Sequence, residues 1–173
     1  MTLNLNQAEE KLIPLTSLQD FSENLIINLN KKGASVVVAG ILQAKNSDSV
    51  VFHIQVNHNA PQTVSDLLIR TVLEDKAVVN LTGLVKICQG AKNSHSFLKE
   101  DALILSPDAQ AFAIPSLEIL ENEVKAGHSS FVGPVDPDQI FYLQSRGINL
   151  KQAEKMVVKG FLQPVKDKLE KRS

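Results

Sequence analysis

The chain has 173 residues, of which 43% are hydrophobic and 21% charged, with 18 Lys and Arg against 19 Asp and Glu. The net charge of −1 argues against nucleic acid or an anionic membrane as a partner, and the apolar content excludes a disordered chain. Only 5% of the residues are aromatic and none is Trp, so the core must consist of Val, Ile, Leu and Ala, and no platform for stacking nucleobases is expected.

A single cysteine, Cys88, is present, so the chain cannot close an internal disulfide or build a four-thiolate metal site on its own. Residues 1–11 lack the basic segment and apolar run of a secretory signal peptide. No apolar stretch approaches the ~20 residues that a membrane span requires. The sequence therefore predicts a cytoplasmic protein that contacts neither nucleic acid nor membrane.

Turn-forming residues interrupt the first three quarters of the chain at a nearly even spacing of roughly 15 residues, too short for a strand plus a helix. Gly, Pro, Asn, Asp and Ser dominate these interruptions because they tolerate or cap turn conformations. The interruptions fall at residues 30–33, 46–48, 57–61, 74–76, 89–93, 106–108 and 121–123. The segments between them are predicted as strands.

Two patterns of side chains support this prediction. Residues 50–56 and 77–87 place apolar side chains at every second position and mostly polar ones between them, which is typical of half-buried strands. Residues 36–42 are continuously apolar and rich in β-branched side chains, which predicts a strand covered on both faces. Periodicity alone leaves a sandwich, an up-and-down barrel and a β-solenoid open.

Helical signals replace the strand pattern after about residue 132. Asp136 and Pro137 predict an N-cap and a first helical position, and Gly147 predicts the end of that helix. Asn149 predicts the start of a second helix, with a capping partner three residues later, and Pro164 should kink or end it. The charged tail that follows is predicted to fray. The expected apolar stripes are Ile140, Phe141 and Leu143 in the first helix and Leu150, Ala153, Met156, Val157 and Phe161 in the second.

Four histidines are the first candidates for site chemistry, because neutral imidazole serves as a metal ligand or a general base. His128 lies in a turn-like segment just beyond the last predicted strand, where a lone histidine is more often hydrogen-bonded than ligating. His53 is predicted on a polar strand face, His58 in a turn, and His95 stands alone. No spacing typical of a metal motif joins them.

The other candidates also favour a structural interpretation. Cys88 is a possible nucleophile or cluster ligand, but the pattern favours a small, half-buried side chain at a strand end. Glu118, Glu121 and Glu123 suggest an acid–base pair, although a solvated strand end and turn explain them as well. No phosphate-binding glycine loop or nucleophile elbow is present.

An ordered set of motifs resembles the C-terminal core of the SufB/SufD family, the scaffold subunits of the Suf iron–sulfur cluster assembly system. The long motif spans residues 117–133 (LEILENEVKAGHSSFVG) and continues at 138–148 (DQIFYLQSRGI). Residues 58–63 (HNAPQT) resemble the family turn H-x-A-P-x-T, and 83–87 and 89–91 resemble the strand and turn that follow. The resemblance covers most of the chain and indicates a short, SufD-like member.

This resemblance implies a mainly β fold, namely a right-handed parallel β-helix followed by a C-terminal pair of helices. It predicts an N-terminal extension at residues 1–23, a β-helix core at 24–133 and a helical segment at 134–173 that docks on a SufC-type ABC ATPase. A SufB-like subunit or a second copy would pair edge to edge with the β-helix. A nascent iron–sulfur cluster would be held there transiently and shared with that partner.

The resemblance also assigns individual residues. His128 matches the family histidine at the subunit interface and is the candidate ligand for the nascent cluster, which it would bind through a metal ion of the cluster. The interface cysteine of SufB-type chains falls at Ala109, and their glutamate after the histidine falls at Ser129, so both departures favour a SufD-like chain. Cys88 receives no role. The predicted contacts of the ATPase are Asp138, Phe141, Tyr142, Ser145, Arg146 and Gly147.

The sequence thus predicts a non-catalytic scaffold in iron–sulfur cluster biogenesis. One alternative is a β-helix enzyme of the polysaccharide lyase or acyltransferase type, which would use the three glutamates near residue 120. Another is a family member with a purely structural role, in which His128 would contribute nothing to cluster assembly.

Overall fold

A computed structural model describes residues 1–6, 10–17 and 21–170. Parallel strands make up most of this part of the chain, and two helices follow them. The strands are β1 (Thr2–Leu5), β2 (Glu10–Ser17), β3 (Phe21–Leu29), β4 (Ser35–Ala44), β5 (Ser49–His58), β6 (Val64–Leu73), β7 (Val78–Ile87), β8 (His95–Ile104), β9 (Gln110–Ile119) and β10 (Lys125–Pro134). The helices are α1 (Pro137–Ser145) and α2 (Leu150–Glu170).

The strands wind into a β-solenoid of about four turns, as the resemblance predicted. Odd-numbered strands form one parallel sheet in the order β1-β3-β5-β7-β9, and even-numbered strands form the other in the order β10-β8-β6-β4-β2. Each strand therefore pairs with the strand two places along the chain. Lys125 pairs with His95, for example, so one coil takes about 30 residues, or two of the predicted segments. The parallel pairing excludes an up-and-down barrel and a sandwich of antiparallel sheets.

Aliphatic side chains fill the space between the two sheets. Val50, Phe52, Ile54 and Val56 are all buried, as their alternation predicted, and equivalent positions of β7 stack beside them. Because register pairing repeats from coil to coil, each inward position forms a column of side chains through the solenoid. The predicted turns also occur where expected, and Asn46 and Asp75 take positive φ angles of 54° and 57° in successive coils.

Helix α2 covers the outer face of the even-numbered sheet. Val165 packs against Ala39 of β4 and Leu68 of β6, which confirms that the continuously apolar segment is covered on both sides. Arg70 on β6 donates a hydrogen bond to the Phe161 carbonyl and stacks 4.8 Å from the centre of its ring. These contacts fix the C-terminal half of α2 to the solenoid.

The helix ends follow the predicted capping residues. Asp136 Oδ1 accepts the Asp138 N–H at 2.9 Å, Pro137 starts α1, and Gly147 follows the helix with a φ of 83°. Asn149 Oδ1 accepts the Gln152 N–H at 3.0 Å at the start of α2. These side chains satisfy backbone groups that have no partner within a helix.

Three details of the helix predictions differ from the structure, namely the end of α2 at Pro164, the fraying of the tail and the buried stripes. Pro164 does not end α2, which continues to Glu170, because the half around it is held against the sheet and Arg70 bonds a carbonyl beside the one that the proline leaves free. The tail is helical up to Glu170, and 171–173 lie outside the described residues. The buried residues of α2 are Ala153, Leu162 and Val165, whereas the expected Leu150 and Met156 are exposed and α1 buries no residue.

Both sheets include strands at 2–5 and 10–17, within the segment 1–23 that was predicted as an N-terminal extension. Strand β1 pairs with β3 in one sheet and β2 pairs with β4 in the other. Neither described helix is both long enough and apolar enough to span a membrane.

Candidate functional site

Strands β9 and β10 form the last coil, and among the described strands each has one neighbour in its sheet. Their free edges expose backbone N–H and C=O groups, which are ready to pair with another chain. Several large apolar side chains are exposed around this open end. They are Phe112, Ile114, Ile119, Leu120, Phe131 and Val132.

His128 lies within β10 and not beyond the last strand, so its predicted position was wrong. The strand was hidden because residues 126–130 are small or polar and show no apolar alternation. His128 pairs in register with Leu98, whose side chain is in the core, so it faces the same inner side as Leu98. It nevertheless remains exposed, because no further coil covers it.

Ala109 and Ser129 are the two positions where the sequence departs from the SufB pattern. Ala109 is buried in the turn before β9 and packs in an aliphatic cluster with Ala77 and Ala102. Ser129 lies on the outer face of β10 beside Lys99 of β8 and is half-buried. The last coil therefore carries an imidazole at its open end and no thiol at position 109.

Glu100 is a buried acid that the sequence analysis missed. Its side chain is fully buried on the inner face of β8, and neither carboxylate oxygen has a hydrogen-bond partner. Burial raises the pKa of Glu100 to about 7. Leu98 and Ala102, two positions away on either side, share its inward face, but the charged residues Lys99 and Asp101 between them interrupt the apolar pattern.

His58 is another buried titratable group, and the prediction that it lies in a turn was wrong. It ends β5 and is fully buried. Its Nδ1 lies 2.8 Å from Thr63 Oγ1 and its Nε2 lies 2.8 Å from Ser65 Oγ. Ser94 and Ser96 of the next coil continue both contacts at 2.8 and 2.7 Å. Burial lowers the pKa of His58 to about 4, so the ring is neutral and fully engaged in holding this corner.

Cys88 is half-buried, as predicted, and takes part in a ladder of polar side chains. Asn59 donates to Asn30 Oδ1 at 2.8 Å, and the Cys88 thiol lies 3.3 Å from Asn59 Oδ1. Asn30 in turn donates to Asn6. Cys88 therefore occupies the fourth position of an asparagine ladder that links successive coils.

The three glutamates near residue 120 are partnered on the surface. Glu118 pairs with Lys86 and Glu123 with Lys92, each at 2.7 Å. Glu121 accepts the backbone N–H groups of Asn122 and Gly90, which lower the pKa of its carboxyl. They form a solvated strand end and turn with no acid–base pair facing a cavity.

The predicted ATPase contacts gather on α1 and its ends. Phe141 is 72% exposed and Tyr142 57% exposed, and Arg146 stacks 5.4 Å from the Tyr142 ring. Ser145 donates to the Tyr142 carbonyl at 2.7 Å, so its hydroxyl is directed to its own helix. A cavity of about 480 Å³ separates α1 from α2. Its lining residues are Asp136, Asp138, Gln139, Tyr142, Leu143, Met156 and Val157.

Within residues 1–6, 10–17 and 21–170, no three His, Cys, Asp or Glu side chains converge to hold a metal ion. His128 accordingly belongs to no such group among these residues, and its role toward a cluster stays a prediction.

Comparisons with known proteins identify relatives for most of this chain. The family model described as "SUF system FeS cluster assembly, SufBD core domain" matches residues 18–161. The iron–sulfur cluster assembly protein SufD of Bacillus subtilis is 35% identical over 148 residues, which cover 86% of this chain and 34% of that protein.

Two further relatives agree with this family. An iron–sulfur cluster assembly SufBD family protein of Mycobacterium tuberculosis is 33% identical over 135 residues, covering 78% of this chain and 15% of that protein. A SufBD family protein of Staphylococcus saprophyticus is 31% identical over 130 residues, covering 75% and 27%. The chain thus spans about a third or less of the length of these relatives.

Proposed function

The chain belongs to the SufBD family of iron–sulfur cluster assembly proteins, and we propose that it acts there as a SufD-like scaffold without catalytic activity of its own. The observation that carries this proposal is the last coil of the solenoid. It combines two free strand edges, an exposed His128 and no thiol at position 109. Because assembly of exposed clusters requires reducing conditions, we infer that the protein works in the cytoplasm.

The partner of the open end would be a SufB-like subunit or a second copy of this chain. Free edges of β9 and β10 offer main-chain hydrogen bonds to strands of the partner. The exposed apolar side chains around them, Phe112 and Ile114 on β9 and Phe131 on β10, would be buried by the same contact. Edge pairing and apolar burial therefore favour the same partner position.

A nascent cluster at this contact would be transient and shared. Iron–sulfur clusters usually take four protein ligands, and thiolates predominate among them. His128 offers one imidazole nitrogen, and Ala109 offers no ligand atom. The partner and sulfide would therefore supply the remaining ligands of the cluster. Purified alone, the chain should hold no stable cluster.

A SufC-type ABC ATPase would dock on the helical segment. Helix α1 buries no residue of its own, and Phe141 and Tyr142 expose their rings beside the cavity between the helices. Exposed aromatic side chains next to a groove are frequent anchors of protein interfaces. ATP hydrolysis in that partner would then rearrange the pairing at the open end.

The decisive experiment compares His128→Ala with Ser129→Ala. Ser129 is the next residue along β10 and lies on the opposite face of the strand. Each full chain is combined anaerobically with the SufB-like subunit and the ATPase, supplied with iron and sulfide, and assayed by absorbance for cluster yield. We expect His128→Ala to assemble into the complex but to lose most of the cluster, while Ser129→Ala retains it. Full cluster yield with His128→Ala would favour the purely structural role.

Docking of the ATPase has its own test. Phe141→Ala and Tyr142→Ala should weaken its capture at least about tenfold, because hot-spot aromatic residues carry much of an interface. Lys151→Ala, on the exposed start of α2, is the control. Equal capture by the Tyr142→Ala and Lys151→Ala proteins would contradict the assignment.

A further inference from the structure

We propose that Glu100 and His128 together bind one divalent transition-metal ion inside the open end of the solenoid, with Glu100 as the carboxylate ligand. That the ion delivered there is ferrous iron rests on the proposed function. The existence of the site rests on the position of the two residues.

The first step is the unusual state of Glu100. Within the described chain it is the one fully buried carboxylate with no hydrogen-bond partner on either oxygen, since the buried Asp101 is paired with Arg70 and Lys99. A buried carboxyl without a partner costs stability, and an apolar side chain would fill the same position better. Such an exception to the packing rules is expected at a functional site.

The second step is the register of the last two coils. Ser130 pairs with Glu100 and His128 pairs with Leu98 along an unbroken ladder between β8 and β10. Ala126, two residues before His128, packs against the core, which fixes the inward face of β10. Glu100 and His128 are therefore diagonal neighbours on one inner face, on strands roughly 4.8 Å apart. A glutamate and a histidine in this arrangement can reach a common ion.

The third step is the space around the carboxylate. A Cβ atom at Gly83, on the facing sheet, would lie 2.3 Å from Glu100 Oε1, so the glycine leaves room for the carboxylate in its present position. Thr71, one coil below on the same inner side, also has a buried hydroxyl without a partner. The unpartnered inward oxygens of Glu100 and Thr71 therefore lie one and two coils below the last coil.

The donor atoms fit a first-row metal ion. One carboxylate oxygen and one imidazole nitrogen are ligands that Fe²⁺ and Co²⁺ accept readily in proteins. Water, the hydroxyl of Ser130 or a group from the partner would fill the remaining positions. Two protein ligands hold an ion weakly, which suits an ion that is handed on rather than kept.

The test measures metal binding to the full chain alone. Fe²⁺ is titrated anaerobically by calorimetry and Co²⁺ by visible absorption, using wild type, Glu100→Gln and His128→Ala. The matched controls are Glu118→Gln and His53→Ala, whose side chains lie outside the site. We expect one ion per wild-type chain, at least about tenfold weaker binding in each site variant, and unchanged binding in both controls.

Several results would overturn the site. They are no binding by wild type, binding by Glu100→Gln that equals wild type, or an equal loss in the controls. Circular dichroism confirms that each variant keeps its strands, and Glu100→Asp, which keeps the carboxylate, should bind more tightly than Glu100→Gln.

The two proposals can fail separately. If wild type binds no ion but His128→Ala still abolishes cluster formation in the complex, the metal site is wrong and the scaffold role stands. If the ion depends on both residues but the complex assembles clusters without His128, the site stands and the scaffold role is wrong.

Discussion

Two regions of the solenoid interior bury a titratable side chain, and they treat it in opposite ways. At the corner after β5, both ring nitrogens of His58 contact hydroxyls, and serines of the next coil extend the network. Beneath the open end, neither carboxylate oxygen of Glu100 has a hydrogen-bond partner among the residues that the structure describes. Both groups are fully buried, so burial itself does not distinguish them.

The difference separates a structural role from a functional one. A satisfied network fixes a unique local structure, because each member would be costly to leave unpaired. An unsatisfied acid contributes nothing of this kind and lowers stability whenever it ionises. We therefore expect His58 to be needed for folding. We expect Glu100 to be retained although its burial lowers the stability of the folded chain.

Removing His58 should have the largest effect. His58→Ala empties a core position and removes one hydrogen-bond partner from each of the hydroxyls of Thr63 and Ser65, so we expect a loss of about 4 kcal/mol in the free energy of unfolding. Urea denaturation measures this loss. His53→Ala, on the exposed face of the same strand, should change stability by less than about 0.5 kcal/mol. Similar values for the two variants would contradict the structural role of the network.

The contribution of Glu100 to the free energy of unfolding should instead depend on pH. The pKa of Glu100 is about 7 in the folded chain and lies near 4.5 when unfolded, so the folded state prefers the protonated form. Stability from this group is complete below pH 4.5 and is lost as the pH rises through 7, for a total of about 3 kcal/mol. Glu100→Gln should remove this loss.

The other buried titratable group, His58, affects only the acid side of the stability profile. His58, whose pKa is lowered to about 4, loses stability as the pH falls from 6.5 through 4. This contribution is the same in wild type and Glu100→Gln, so the difference between their urea midpoints isolates Glu100. Glu118→Gln should follow the wild-type profile. If the urea midpoints of wild type and Glu100→Gln differ by a constant amount between pH 5 and 9, Glu100 does not titrate in this range.

Replacing Gly83 should lower stability by an intermediate amount, and this loss should depend on the side chain at position 100. In Gly83→Ala the new methyl group meets Glu100 Oε1 and, at 2.5 Å, Leu98 Cδ2, so we expect a loss of about 2 kcal/mol from overpacking. Combined with Glu100→Ala, the methyl group occupies vacated space and the double variant should be more stable than the sum predicts.

The control for this change is another glycine. Gly160→Ala in α2 meets nothing within 4 Å and should stabilise the helix by about 1 kcal/mol. Strict additivity of Gly83→Ala and Glu100→Ala would mean that the glycine serves a purpose other than making room for the carboxylate.

The sequence predicted the strands well because their spacing and alternation are local properties. The continuously apolar segment 36–42 also predicted that its strand is covered on both faces, since an exposed face would carry polar side chains. Alternation does not say which strands pair, so the solenoid emerged from the resemblance and not from periodicity.

The interior of the site was harder to predict. Glu100 stands between two charged residues, and the small residues around His128 hide β10, so neither inward position is visible from local pattern. Glu100 and His128 come close because β8 pairs with β10, and this ladder joins residues that are 30 positions apart in the chain. His58 was misplaced for the same reason, because its partners come from the following strand and the next coil.

Cys88 provides the smallest and most specific prediction. As the fourth rung of the ladder formed by Asn6, Asn30 and Asn59, its thiol makes a weak contact where an amide would donate a full hydrogen bond. Cys88→Asn should therefore leave stability unchanged or raise it by up to about 0.5 kcal/mol, whereas Cys88→Val removes the contact. Cluster yield in the complete complex should equal wild type for both variants. A clear loss of clusters in Cys88→Asn, with stability intact, would mean that the thiol takes part in assembly and that the ladder is not its main role.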